Sequence, residues 1–346
     1  MKKILVIRND KIGDFMLAWP AFAMLKQSMP DAEITALIPS YTKALAVLCP
    51  SIDRILVDCE KNADQLNQKT LIKKINSHHF DAVICFFLNA HNATLVWKAE
   101  IPFRLAPATK IFQFLYNHRV TQHRSKSEKP EYQYNLDLIR VFLEKQNIQP
   151  IEPTAPYLRF STEVLAKQRT KLSVLLDLDE NKPWLYVHAG NGGSANNLSL
   201  IQYSNLVIGM CNPKPLEVVL TAGPGEEQKA AELQKLLNNH GLPSVVYDKN
   251  DGLQDFTRSI ACASAFIASS TGPLHIAATV DVPTIGFFSA KRSATPLRWQ
   301  SINSHGHHLA FAPPISKDIR SDMFNINIEK ILPDVMSFIA RVIPFS

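Results

Sequence analysis

The chain has 346 residues, 46% of them hydrophobic and 20% charged, which excludes a largely disordered polymer and points to two domains of roughly 150–200 residues. Its net charge of +6, from 37 Lys and Arg against 31 Asp and Glu, is unevenly placed. Residues 1–169 hold 23 basic and 16 acidic side chains and residues 170–346 hold 14 and 15, so the front half is expected to meet something acidic: nucleic acid, an anionic lipid head group or a phosphorylated substrate.

The opening, Met1 to Arg8, is basic, but its apolar stretch ends after four residues, too short for a signal peptide. Ile4–Ile7 reads as a strand, Phe15–Ser28 as a helix and Glu33–Ile38 as a second strand. Asp53–Val57 and Ala82–Phe87 continue the series, with a polar helical stretch, Asn62–Ser77, between them. Strands too apolar to face water, alternating with helices, predict an α/β domain with a doubly wound parallel sheet. The loop Arg8-Asn-Asp-Lys-Ile-Gly-Asp14 joins the first strand to the first helix. Asp14 is either an ordinary helix N-cap or a base facing a ligand at the strand's carboxyl end. Residues 98–140 carry Arg104, Lys110, Arg119, Arg124, Lys126 and Lys129 among aromatic side chains. Such a segment suits nucleic acid, lipid-surface phosphates or a merely solvated face.

Residues 146–162, broken by Pro150, Pro153 and Pro156, read as a linker, giving domains at 1–160 and 161–346. The βα rhythm then restarts: strands at Trp184–His188, Leu216–Ala222, Ser244–Tyr247, Ala265–Ala268 and Thr284–Phe288, with helices at Leu200–Met210, Glu226–Asn238, Leu253–Cys262 and Pro273–Val280. The last helix is a candidate to pack back on the first lobe. In such sheets ligands gather beyond the strands' carboxyl ends, here at a cleft between the lobes. The first strand of the second lobe runs into Gly190-Asn191-Gly192-Gly193, whose backbone N–H groups are expected to approach a phosphate, with Asn196 just beyond. After strand 265–268 comes Ser269-Ser270-Thr271-Gly272-Pro273-Leu274-His275. Pro273 suits a first helical turn, and the N–H groups around Thr271 and Gly272 make an anion site. His275 lies in that turn, in reach of a phosphate or sugar hydroxyl, or else as a half-buried packing residue. Glu226, in Gly223-Pro-Gly-Glu-Glu227, is a candidate for ribose hydroxyls or a plain helix-start carboxylate.

Five scattered cysteines without a CxxC pair suit reduced thiols in the cytosol, and no apolar run approaches the roughly 20 residues of a membrane span.

In order and spacing, ILVIRNDKIGDFMLAWPAFAMLKQSMPDAEITALIP, HAGNGGSANNLSLIQYSNL, TAGPGEEQ and SSTGPLHIAATVDVPTIGFFSAKRSATPLRW resemble glycosyltransferase family 9, the lipopolysaccharide heptosyltransferases. The resemblance implies a GT-B fold, two Rossmann-like lobes with the acceptor on the first and a nucleotide-diphosphate sugar on the second. It implies an inverting transfer without metal or cofactor, ADP-heptose among the candidate donors, at the cytoplasmic face of the inner membrane, and no nucleic-acid partner. Asp14 falls on the family's base, and Thr271, Gly272 and His275 on its diphosphate-binding Thr-Gly-x-x-His. Glu226 falls near its ribose-binding acid. Arg8, Lys11, Arg119 and Arg124 are the candidate contacts to an anionic glycolipid acceptor. Two departures stand out: Ser269-Ser270 replaces an Asn-Asp pair, and Asn196 replaces a Lys that holds donor phosphates. Lys291, Arg292 and Arg298 are candidates to restore that charge. A nucleotide-sugar epimerase on the same fold, or a non-catalytic nucleotide- or glycolipid-binding relative, are the alternatives.

Overall fold

A computed structural model describes residues 2–59, 65–192, 196–211, 216–314 and 323–343. The chain divides into two compact units, Met1–Tyr157 and Leu158–Ser346. Counted at that division, the first unit holds 20 basic and 15 acidic residues and the second 17 and 16, so the charge asymmetry narrows but keeps its sign.

The first unit is built on strands β1 (Lys3–Ile7), β2 (Glu33–Ile38), β3 (Arg54–Val57), β4 (Ala82–Cys85), β5 (Phe103–Pro107) and β6 (His118–Val120). They pair parallel in the order β3-β2-β1-β4-β5-β6. β1, β2 and β4 are buried almost throughout, as strands covered on both faces must be. The helices are α1 (Ile12–Met16), α2 (Trp19–Ser28), α3 (Lys43–Ala46), α4 (Gln65–His78), α5 (Ala90–Lys98) and α6 (Glu131–Lys145). The stretch 15–28, read as one helix, is broken at Leu17 and Ala18, because Pro20 lacks the N–H that would continue it and instead starts α2. On one face Leu5, Ile7, Val83 and Cys85 pack with Leu71, Ile75, Ala93 and Val96 of α4 and α5. α2 packs against α6, and edge-to-face contacts among Phe15, Trp19, Phe22 and Phe86 bind α1 and α2 to the sheet.

The second unit repeats the plan with β7 (Trp184–His188), β8 (Glu217–Thr221), β9 (Ser244–Tyr247), β10 (Ala265–Ser269), β11 (Thr284–Phe287) and β12 (His308–Phe311), ordered β12-β11-β10-β7-β8-β9 and all parallel. Its helices are α7 (Thr162–Leu176), α8 (Leu200–Cys211), α9 (Glu227–Asn239), α10 (Leu253–Ala261), α11 (Gly272–Thr279) and α12 (Ile328–Val342). α12 packs on α8 in this same unit, where a Cβ on Gly209 would lie 2.6 Å from the Leu332 side chain, so a larger residue would force Leu332 to shift.

Read from its third strand, each sheet has the order 3-2-1-4-5-6 of a dinucleotide-binding fold. The winding therefore reverses between β1 and β4 and between β7 and β10, and crevices form at the carboxyl ends of those strands. No helix among the described residues is long and apolar enough to cross a membrane.

Candidate active site

At the first switch point Arg8 follows β1 directly and is 1% exposed. A buried guanidinium must spend its donors on partners. Here Nη2 donates to Asp14 Oδ1 at 2.6 Å and Nη1 to the Phe86 carbonyl at 3.3 Å, just past the end of β4. Nη1 also reaches Asn135 Oδ1 at 3.4 Å and Glu131 Oε1 at 3.5 Å, while Nε lies 2.9 Å from Asp10. Arg124 joins the same group, with Nη1 2.7 Å from the same Glu131 oxygen and its guanidinium 5.5 Å from the Tyr134 ring. Two guanidinium groups and three carboxylates thus share one half-buried cluster.

Asp14 is not the cap of α1. Lys11 holds the cap position, without a side-chain cap bond, and Asp14 lies in the first turn with its carboxylate turned to Arg8. Burial raises its pKa and the Glu131 charge adds to this, against the pull of Arg8 and Lys11. Asp10 is raised for the same leading reason. For Arg8, burial opposes the charge, yet the three acidic neighbours hold it more firmly protonated than usual. Lys11 is exposed. Arg119 is exposed on the edge strand β6, beside Phe114, and is not among the partners of the Arg8 cluster. Arg8 and Arg124, read from sequence as contacts to an acceptor, are here the groups that orient Asp14 and Glu131. Glu131 and Asn135 escaped the sequence reading, being more than a hundred residues from Arg8 in the chain.

At the second switch point the glycine loop is filled by the protein itself. Glu226 Oε1 accepts from the Asn191 and Gly192 N–H groups at 2.6 and 2.7 Å, and Oε2 from the Gly223 N–H at 3.2 Å. His188, buried at the end of β7, places Nε2 3.5 Å from that carboxylate and Nδ1 3.0 Å from Thr221. Burial works against the Glu226 charge, but the Gly192 amide, His188 and the other two amides hold its pKa below the ordinary range. Burial lowers that of His188. This corrects the expectation of open amides at Gly190–Gly192: a Cβ on Gly190 would lie 1.9 Å from Glu226 Oε2, so glycine is required there to admit the carboxylate. Gly193 lies outside the described residues. Asn196 is exposed, and its neighbour Asn197 ties the loop down. Asn197 donates to the Ala189 and Gly190 carbonyls and accepts from Tyr203 at 2.7 Å and from Ser269. Ser269, at the end of β10, is fully buried, and its bond to Asn197 ties that strand end to the glycine loop.

Thr271 caps α11 in extended conformation, its hydroxyl donating to the Ser269 carbonyl at 3.2 Å, and Pro273 lies in the first turn. The N–H groups of Gly272 and Leu274 then have no intrahelical acceptor and sit at the positive end of the helix. The Ser270 N–H is used by the Phe287 carbonyl at 3.0 Å. His275 is 2% exposed, and among the described residues its Nδ1 has no hydrogen-bond partner. Burial and the nearby His308 push its pKa down to about 3, so it faces any ligand as a neutral imidazole. The Trp299 ring lies tilted with its centroid 6.5 Å from that of His275, and the Arg298 guanidinium lies 5.9 Å from the Trp299 ring, so one of the three candidate cations stands one side chain away from the first turn of α11.

Two Rossmann-like units, each with polar side chains and helix starts at its switch point, follow the plan of the GT-B fold. The profile described as Glycosyltransferase family 9 (heptosyltransferase) matches residues 69–319. The chain is 52% identical over 342 residues, 99% of itself and 98% of the relative, to a Haemophilus influenzae protein provisionally described as a glycosyltransferase. It is 25% identical over 289 residues, 80% of each chain, to lipopolysaccharide heptosyltransferase 3 of Escherichia coli K12. The solved family 9 glycosyltransferase of Veillonella parvula superposes with a TM-score of 0.81 at 15% identity, covering 98% of both chains. The protein belongs to glycosyltransferase family 9.

Proposed function

We propose that this glycosyltransferase moves a heptose or related sugar, with inversion and without a metal, from a nucleotide-diphosphate donor to a hydroxyl of a lipopolysaccharide core or similar anionic glycolipid. The observation that carries the reading is the Asp14 carboxylate held by Arg8 at the first switch point in a chain of this family. Asp14 takes the acceptor proton as the hydroxyl attacks the anomeric carbon opposite the diphosphate. Its raised pKa strengthens it as a base, and the bond to Arg8 keeps one oxygen fixed. As the glycosidic bond to the diphosphate breaks, negative charge grows on the leaving oxygen, and the Gly272 and Leu274 N–H groups at the start of α11 meet it with aligned dipoles. Arg298 supplies charge that the family's Lys would give. ADP-heptose is the first donor to test, since the matched profile and the E. coli relative are both described as heptosyltransferases.

In this reading the acceptor binds the first unit, which is favoured by that unit's larger excess of basic residues. Work at the cytoplasmic face of the inner membrane is supported by Ile111 and Phe114, 74% and 69% exposed, beside the cations Lys110 and Arg119. Flotation with anionic vesicles that weakens as salt rises is expected, and no vesicle binding at low salt would remove that part of the reading.

The test is incubation with a panel of nucleotide-diphosphate sugars and truncated lipopolysaccharide acceptors, with the product's anomeric configuration read by NMR. A glycosylated acceptor of inverted configuration is expected. Isomerised donor without an acceptor product would make the protein an epimerase, and donor binding without turnover a non-catalytic relative.

A further inference from the structure

A second cluster of side chains lies on the first unit, apart from the groups used above. Asp58 follows β3, its N–H donating to the Ile38 carbonyl at 2.8 Å, and Cys59 comes next. His91 stands in the first turn of α5, whose cap Asn89 accepts from the Asn92 N–H at 2.8 Å. One ligand atom from each of Asp58, Cys59 and His91 lies within 4.8 Å of the others. His91 Nε2 is 2.9 Å from Asp58 Oδ1, while Asp58 Oδ2 accepts from Asn9. Asn9 is itself locked to the buried Asn92 by a reciprocal amide pair at 2.7 and 2.8 Å, and Asn92 also donates to the Phe87 carbonyl at 2.7 Å. The Asp58 side chain is 8% exposed and that of His91 22%, so the group is fixed on its inner side and open to water on the other.

We propose that Asp58, Cys59 and His91 bind one borderline divalent cation of the zinc class, with water completing the shell. Carboxylate, thiolate and imidazole together suit zinc and its neighbours, whereas magnesium and calcium prefer oxygen alone. Tetrahedral bonds of about 2.0–2.3 Å put ligand atoms roughly 3.3–3.8 Å apart, so side-chain shifts of about an ångström close the set. The cation displaces the thiol proton of Cys59 and separates His91 from Asp58. The Asn9 amide then does what second-shell donors do, orienting the ligating carboxylate. Occupancy ties the exit of β3 to the start of α5. No step of the proposed transfer uses this cation.

The experiment takes the full chain, stripped with chelator and dialysed, and titrates it with Zn2+ by calorimetry and with Co2+ by absorption. One equivalent is expected to bind, with a thiolate-to-cobalt charge-transfer band in the near ultraviolet and a Tm raised by several degrees in zinc. Cys59→Ser abolishes the band, and Cys59→Ser and His91→Ala each weaken Zn2+ binding at least tenfold. Asn9→Ala weakens it about ten- to a hundredfold. Unchanged circular-dichroism melts of the Cys59 and His91 variants in chelator establish that they are folded. No stoichiometric Zn2+ binding by the wild type, equal affinity for Mg2+, or wild-type Zn2+ affinity in either of those two variants would overturn the proposal.

Discussion

Replacing Glu226 by Gln probes the most unexpected feature of the second unit, a carboxylate seated in a glycine loop. The substitution keeps the shape but puts an amide N–H2 where one carboxylate oxygen accepts, facing the Gly223 N–H or the pair at Asn191 and Gly192. Hydrogen bonds to a charged acceptor contribute about 1.5–3 kcal/mol each. Gly192 is exposed and Asn191 half-buried, so water recovers part of two of the three. The Glu226 side chain is 12% exposed, which leaves a net loss of about 3 kcal/mol. For a unit of this size that lowers Tm by about 6–12 °C, read by scanning calorimetry near neutral pH. Gly190→Ala should produce a similar fall, because its Cβ would enter the space of Glu226 Oε2. The double variant should be little worse than either single one, since both remove the same bonds. An unchanged Tm for Glu226→Gln, or full additivity of the pair, would refute this account of the loop.

Three further outcomes follow from the same geometry. Arg8→Met leaves Asp10, Asp14 and Glu131 with only Arg124 among the two guanidinium groups, and should destabilise the protein by about 3–5 kcal/mol in urea unfolding; a loss below 1 kcal/mol would mean the cluster is solvated. His275 and His308 have folded pKa values lowered to about 3 and about 4, mainly by burial, so below pH 6.5 the unfolded chain takes up protons that the folded one refuses. Between pH 7.5 and 5.5 the two together should cost about 3 kcal/mol, and His275→Gln with His308→Gln should flatten that fall in urea midpoint. Arg298→Ala should raise the donor Kd about tenfold or more, the loss of one charge-assisted contact, with stability little changed; an unaltered Kd would remove Arg298 from the donor site.

Much of the scaffold was legible in the sequence because central strands covered on both faces must be apolar. β1, β2, β7, β9, β10 and β11 are found within about a residue of where the apolar runs place them. The strands missed, β5, β6 and β12, carry half-exposed residues with charges such as Arg104 and Arg119, and so lack that signal. α6 was hidden inside a segment read only as basic and aromatic, and with it Glu131. Asp14 was visible from its place after β1, since topology alone puts that loop at a switch point. The partners that set its charge were not, because Glu131, Asn135 and Arg124 meet Arg8 only once the sheet is assembled. The same holds for Glu226. Local spacing marks Gly190–Gly192 as an anion nest, but not that a carboxylate 35 residues later fills it.

The central claim is that Asp14 is the base of a glycosyl transfer, and the most direct measurement is single-turnover transfer by Asp14→Asn with saturating donor and acceptor. The amide keeps the shape and an acceptor oxygen for Arg8 but cannot take the proton. The account predicts a rate about 10²–10⁴-fold below wild type with donor affinity unchanged. A wild-type single-turnover rate in that variant would contradict it.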